Sequence, residues 1–161
     1  MKNKLLMPNL SQLKFTTFVN KDAALRALLF LLLLDSSYRN LPILQVYSFY
    51  NSILSNQYLF ALREKVLVGA IVWGEISGEV KELCLQNDRS PFIGELVASG
   101  GAIYCTAFTA KESNVLLPLW REFFKLQNKD ILIKRHFKHG GKKSHQIRLI
   151  KCISPVNSSS S

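Results

Sequence analysis

Apolar positions recur along this chain at two different periods. Leu25, Leu28, Leu29 and Leu32 return at helical spacing. Asn20 or Asp22, just upstream, can accept hydrogen bonds from the first free backbone amides, which predicts a helix from about Ala23 to Leu34. Arg39-Asn40-Leu41-Pro42 interrupts it, because the residue before a proline is pushed out of the α region. A second helix, Ile43 to Leu54, is then predicted from Val46, Phe49, Tyr50, Ile53 and Leu54. Tyr58 to Leu62 and Val66 to Trp73 are β-rich runs joined by the polar tip Arg63-Glu64-Lys65, the signature of an antiparallel hairpin.

Further strands are predicted over Ser77 to Leu85 and Phe92 to Ala98, followed by a loop at Gly100-Gly101. Ser113 or Asn114 begins a helix whose apolar face holds Leu116, Leu117, Trp120, Phe123, Phe124 and Leu126, with Pro118 in its opening turns. Two last strands, Ile131 to Ile133 and Ile147 to Ile150, flank a basic loop from Lys138 to His145. The sum is an α/β (α+β) fold with an antiparallel or mixed sheet and helices packed on it. One domain over residues 21–153 is expected, between a partly ordered arm (1–20) and a disordered serine tail (154–161).

Composition narrows the class. At 161 residues and 48% hydrophobic content the chain can bury a core without disulfide or metal support, and three cysteines (Cys84, Cys105, Cys152) do not make a disulfide framework. A cytoplasmic location with reduced thiols is expected. The apolar run Ala27 to Leu34 covers eight residues before Asp35, far short of the roughly 20 that span a bilayer, so no membrane span is expected. The net charge of +10 is uneven: residues 1–110 carry 10 Lys+Arg against 8 Asp+Glu, and residues 111–161 carry 11 against 3. Such a patch attracts polyanions of any kind, including nucleic acid, an anionic membrane or an acidic protein.

Side-chain chemistry is sparse. His136, His139 and His145 fall close together, but their spacing lacks a second ligand pair and lysines surround them, so no metal site is expected. His139-Gly140-Gly141-Lys142-Lys143 could hold a phosphate through exposed amides and two lysines, or be an ordinary turn in a basic hairpin. No Gly-x-Ser-x-Gly elbow and no cysteine-histidine motif appears. Phe137 is the single aromatic residue of the basic segment, which leaves a nucleic-acid-binding role as a secondary alternative.

Several uncommon words then occur in a fixed order. Tyr38-Arg39-Asn40-Leu41-Pro42 resembles the His-Arg-x-Trp-Pro stretch of the RTX toxin-activating lysine acyltransferases. Asn56-Gln57-Tyr58 resembles their Asn-Gln-Tyr, with Trp73 at the family's spacing, and Glu79-Val80-Lys81 their Glu-Ile-Lys. Asp88-Arg89-Ser90-Pro91-Phe92-Ile93-Gly94-Glu95 is similar to Asp-Arg-x-Trp-Phe-Ile-Asp-Trp, and Phe137-Lys138-His139-Gly140-Gly141-Lys142 to Phe-His-Gly-Gly-Lys. The resemblance spans roughly residues 38–143, with two deletions.

What it implies is a GNAT-like acyltransferase fold, a twisted, mostly antiparallel sheet flanked by helices. It also implies transfer of a fatty acyl group from the acyl-phosphopantetheine of acyl carrier protein to lysines of an RTX-type protoxin. No resident cofactor is implied, and a homodimer is left open. The family's catalytic histidine falls on Tyr38 and its aspartate on Gly94. An imidazole with a pKa of about 6.5 suits deprotonation of an amine far better than a phenol near 10. The resemblance therefore leaves Tyr38 and His139 as proton-transfer candidates and Glu95 as the carboxylate. Ser37, Arg39, Asn40, Lys142 and Lys143 become substrate-binding candidates. The alternative is a catalytically inactive member that binds a carrier or partner.

Overall fold

The computed structural model describes residues 12–139 and 142–152, and the side chains of these other than 136–139 and 142–144. Six strands form one sheet in the order β1-β2-β3-β4-β5-β6: β1 (Lys14–Thr16), β2 (Tyr58–Arg63), β3 (Val66–Ile76), β4 (Ala102–Ala110), β5 (Asp130–His139) and β6 (Lys142–Ile150). Every neighbouring pair is antiparallel except β4 with β5. Four helices pack on it: α1 (Lys21–Leu33), α2 (Ile43–Leu54), α3 (Gly78–Gln86) and α4 (Ser113–Leu126).

Local chemistry fixes the element ends. The Asn20 side chain accepts from the Ala23 amide and starts α1. Pro42, extended at φ −61° and ψ 145°, sits at the cap of α2. Asn56 takes φ 56° just past α2, a left-handed stop that asparagine tolerates. Glu64 and Lys65, at φ 49° and 67°, make the two-residue turn that matches the twist of β2 and β3.

Leu28, Leu32, Phe49, Ile53 and Phe60 pack with Val72 and Ala107 into one core between α1, α2 and the sheet. Val115, Leu119 and Phe123 of α4 cover the other face against Ile71, Trp73, Ile103 and Ile131. Gly69 permits that approach: a Cβ there would lie 2.8 Å from Val115 Cγ1.

Four expectations need correction. Ser77 to Leu85 is helical because the Ser77 hydroxyl accepts from the Val80 amide, and Val80 and Cys84 then face one core at helical spacing. Phe92 to Ala98 is a short 3-10 turn, Ile93–Glu95, followed by a single bridge between Val97 and Glu75. The span predicted as a basic loop belongs to β5 and β6, which pair out to His139 and Lys142. Finally, β1 and β4 carry no strand signal in the prediction, yet β4 is central. Gly140 and Gly141, and the tail from residue 153, lie outside the described residues.

The loop ahead of β4 is packed tightly enough to test. A Cβ on Gly100 would lie 2.5 Å from the carbonyl oxygen of Ile76. Gly100→Ala is expected to destabilise the fold by about 1–3 kcal/mol, measured as a lower urea midpoint at unchanged slope.

Candidate functional site

The parallel pair is short. β4 and β5 are in register only from Ala102 opposite Asp130 to Tyr104 opposite Leu132. Beyond it β5 follows β6, and β4 follows β3 to Ala110. A bulge sharpens the divergence: Val72 pairs with Ala107 and Trp73 with Cys105, so Thr106 is an extra residue in β4, with its hydroxyl donating to the Val72 carbonyl at 3.0 Å. Among the described residues no strand covers the β5-facing edge of β4 past Tyr104.

A cleft of about 1080 Å³ opens at this split, the size and largely apolar character of a small-molecule site. Its floor and sides come from Cys105 to Phe108 of β4, Ile133 and Lys134 of β5, and Leu116, Leu117 and Trp120 of α4. The α1–α2 connection and the loop from Ser90 to Leu96 close it from the other face of the sheet.

Tyr38 is latched onto β4. Its hydroxyl accepts from the Phe108 amide at 3.4 Å, and Asp35 Oδ2 accepts from Thr109 Oγ1 at 3.0 Å one residue further on. Burial pushes the Tyr38 phenol up to about 12, so at neutral pH it is a proton donor and a poor base. Cys105 is pushed up to about 12, also by burial, and remains a neutral thiol. Tyr104 is raised for the same reason and donates to Ser90 Oγ at 2.9 Å.

Of the residues singled out in the sequence, Ser37, Tyr38 and Asn40 line this cleft. Arg39 is exposed and does not. Gly94 is exposed, with open space where a side chain would be. Glu95 is not a lining residue either: its carboxylate takes both terminal nitrogens of Arg89 at 2.8 and 2.9 Å and the Phe92 amide at 2.7 Å. Arg89 also stacks on the Phe92 ring at 4.4 Å, and Asp88 accepts from the Ile147 amide of β6. That segment shapes a cleft wall by fixing Ser90, Pro91 and Ile93. The backbone of His139 pairs with Lys142 at the far end of β5, five residues beyond Lys134, which is about 17 Å of strand rise. Lys143 pairs with Lys138 beside it.

The Asn-Gln-Tyr word is a fastening. Gln57 donates to the Ala98 carbonyl at 3.0 Å, and the Tyr58 hydroxyl bonds the Phe18 amide and carbonyl at 2.7 and 2.9 Å. Among the described residues no group of three or more His, Cys, Asp or Glu could hold a metal ion. None of their helices is long and apolar enough to cross a membrane.

Sequence reasoning missed Asp35, Tyr104, Cys105, Thr106 and Trp120 as cleft residues. Asp35 had a local signal, since an acid before Ser-Ser caps a turn and its side chain accepts from the Ser37 amide at 2.9 Å. The β4 residues had none, because what exposes them is a strand that leaves.

Glu95 gives a test of the loop. The Arg89 guanidinium holds its carboxyl below the ordinary 4.5, so the stabilisation exists above that range and is lost as pH falls through the lower folded value. Unfolding of Glu95→Gln followed from pH 7 to pH 2 is expected to show a deficit against wild type that shrinks to nothing in acid.

Solved structures share this fold, among them two GNAT-like domains. The loading GNATL domain of CurA from Lyngbya majuscula matches with a TM-score of 0.61 at 15% sequence identity, over 79% of this chain and 66% of that one. The GphF GNAT-like decarboxylase, in complex with isobutyryl-CoA, matches with a TM-score of 0.56 at 14% identity, over 80% and 67%. The chain thus spans about two thirds of the length of each. No family model matches the chain, and no curated protein does. At such identities the likeness shows the fold, which is GNAT-like.

Proposed function

We propose that the protein is an acyltransferase that moves a fatty acyl group from the phosphopantetheine thioester of an acyl carrier protein to lysine side chains of a target of the RTX-protoxin class. The observation that carries this reading is Tyr38, a hydroxyl kept protonated by burial in the wall of a largely apolar cleft between two diverging strands. The GphF protein holds an acyl thioester on the same fold. The order of words from Tyr38 to Lys142 supports the narrower class.

The uncovered edge of β4 offers backbone groups to an extended, amide-bearing arm such as pantetheine, as a sheet edge does to an added strand. The acyl chain takes the apolar side formed by Leu116, Leu117, Trp120 and Ile133. From Ile131 to the C-terminus the sequence contains no Asp or Glu, and this hairpin, continuous with the cleft through Lys134, suits the acidic surface and single phosphate of a carrier. Lys142 and Lys143 are residues of its second strand.

The amine must reach the thioester uncharged, so its ammonium first releases a proton to solvent. Nitrogen attacks the carbonyl carbon, a C–N bond forms, and backbone amides at the β4 edge take up the charge on oxygen. As the C–S bond breaks, sulfur receives the Tyr38 proton, and the second proton lost by nitrogen restores the phenol. Glu95 holds the wall in this scheme and His139 takes no step.

One observation favours a second reading. Among the described residues no imidazole lines the cleft, and Tyr38 is a poor base, which fits a catalytically inactive module that binds an acylated carrier. Incubation with carrier protein bearing a labelled fatty acyl group, and a lysine-containing target, separates the two. Amide-linked label at a rate above buffer supports transfer. Binding of the carrier with an undiminished thioester supports the module.

A further inference from the structure

The described lining of the cleft carries one charge of each sign. Among its described lining residues Asp35 is the only carboxylate and Lys134 the only lysine or arginine, one on the α1–α2 connection and the other on β5. Asp35 is held rigidly: Oδ1 takes the Ser37 amide at 2.9 Å and Oδ2 the Thr109 hydroxyl at 3.0 Å. Burial alone would raise its pKa, but these hydrogen bonds outweigh it and the carboxyl stays below its ordinary range. The Ser37 hydroxyl adds a third hydrogen bond to this carboxylate, and since each oxygen can accept about two, acceptor capacity remains for one further donor. Among the described residues none forms a salt bridge with Asp35. A half-buried anion fixed in the wall of a largely apolar cleft, with acceptor capacity left and no salt bridge to any described residue, is suited to a cation from outside.

We propose that Asp35 is the subsite for the ammonium group of the acceptor, placing a primary amine beside the Tyr38 hydroxyl and selecting it over neutral acceptors. This deepens the acyl-transfer reading and rests on it, while making a claim about binding that can be tested without any transfer. Asp35 acts as a positioning residue: it binds the ammonium, and its proton leaves through the open mouth of the cleft before attack. Lys134, on β5 rather than on that connection, repels an ammonium and suits the anionic donor, which enters from the hairpin, while the cationic acceptor takes the α1–α2 side. The ammonium could be borne by a protein lysine or by a free amine, and the same subsite reads both.

The test is a titration of the full chain, followed through the backbone amide signals of Ser37 and Thr109, with a short lysine peptide and with the same peptide acetylated at its side-chain nitrogen. Wild type is expected to bind the lysine peptide about tenfold more tightly than the acetylated one, the effect of one charge pair in a partly desolvated site. Asp35→Asn is expected to lose the preference, and Asp35→Glu, which keeps the charge, to retain most of it. A merely structural role for Asp35 would leave the ratio near one in every variant, and so would overturn the proposal. Retention of the preference in Asp35→Asn would overturn it equally. Butylamine as a competitor assigns the source: displacement of the peptide at comparable concentrations points to a free amine, and no displacement to a peptide lysine. In parallel, discharge of the acyl carrier to hydroxylamine, which is uncharged at neutral pH, reports on transfer alone. A protein that binds the ammonium but discharges no thioester refutes the enzyme reading and leaves the subsite standing.

Discussion

Tyr38→Phe is expected to lower the rate of acyl transfer by about 10²–10³-fold while changing carrier affinity less than threefold, on the scale of losing one positioned proton donor. The substitution removes an oxygen and a proton and keeps the ring, which packs against the α1–α2 core. It also removes the acceptor for the Phe108 amide, so circular dichroism and the urea midpoint of the variant belong beside the kinetics. The pH profile separates roles. A phenol held at about 12 stays protonated throughout the stable range, so wild-type transfer should rise with pH as the amine loses its proton, with no descending limb below pH 10. A rate that fell between pH 8 and 10 would mean that the phenol titrates there, contrary to its burial.

Phe123→Ala is expected to cost about 3–5 kcal/mol, a large share of the 5–15 kcal/mol that stabilises a domain of this size. Phe123 is fully buried. Its ring lies 4.9 Å from that of Trp73 and 5.5 Å from that of Trp120, with Phe124 at 6.3 Å. The hole it leaves adjoins Trp120, which lines the cleft. Loss of stability should therefore come with weaker binding of long acyl chains and little change for acetyl, whereas Leu28→Ala, in the opposite core, should destabilise without that selectivity. Chemical denaturation and a chain-length series on the surviving folded fraction measure both.

The sequence made some of this legible because the physics was local. α1 and α2 begin where Asn20 and Pro42 allow, and the β2–β3 turn falls on the polar tip at Glu64 and Lys65. α3 reads as a strand from its sequence because Val80, Leu83 and Leu85 suit a strand as readily as a helix until the Ser77 cap is weighed. β4 gives a weak sequence signal because Ala102 to Ala110 holds mostly small residues and its alternation slips at the Thr106 bulge.

The site divides along the same line. Tyr38 could be picked out because it stands where a resembling family keeps a histidine. Glu95 stands next to Gly94, where the same family keeps an aspartate, and the fold engages it with Arg89 and Phe92. The cleft itself was invisible, since it exists only where β5 parts from β4 after three paired residues. No window of sequence contains both strands together with the turn that carries Asp35.

The central claim is that this split holds an acyl thioester arm. Its most direct measurement is a titration of the isotopically labelled protein with a non-hydrolysable acyl-phosphopantetheine analogue, read residue by residue through backbone amide shifts. Saturable changes centred on Cys105 to Phe108, Ile133 and Lys134, with Tyr38 at their edge, are the predicted result. Saturable binding that moved the exposed face of α1 and α2 but left those residues unchanged, or no binding at millimolar analogue, would contradict it.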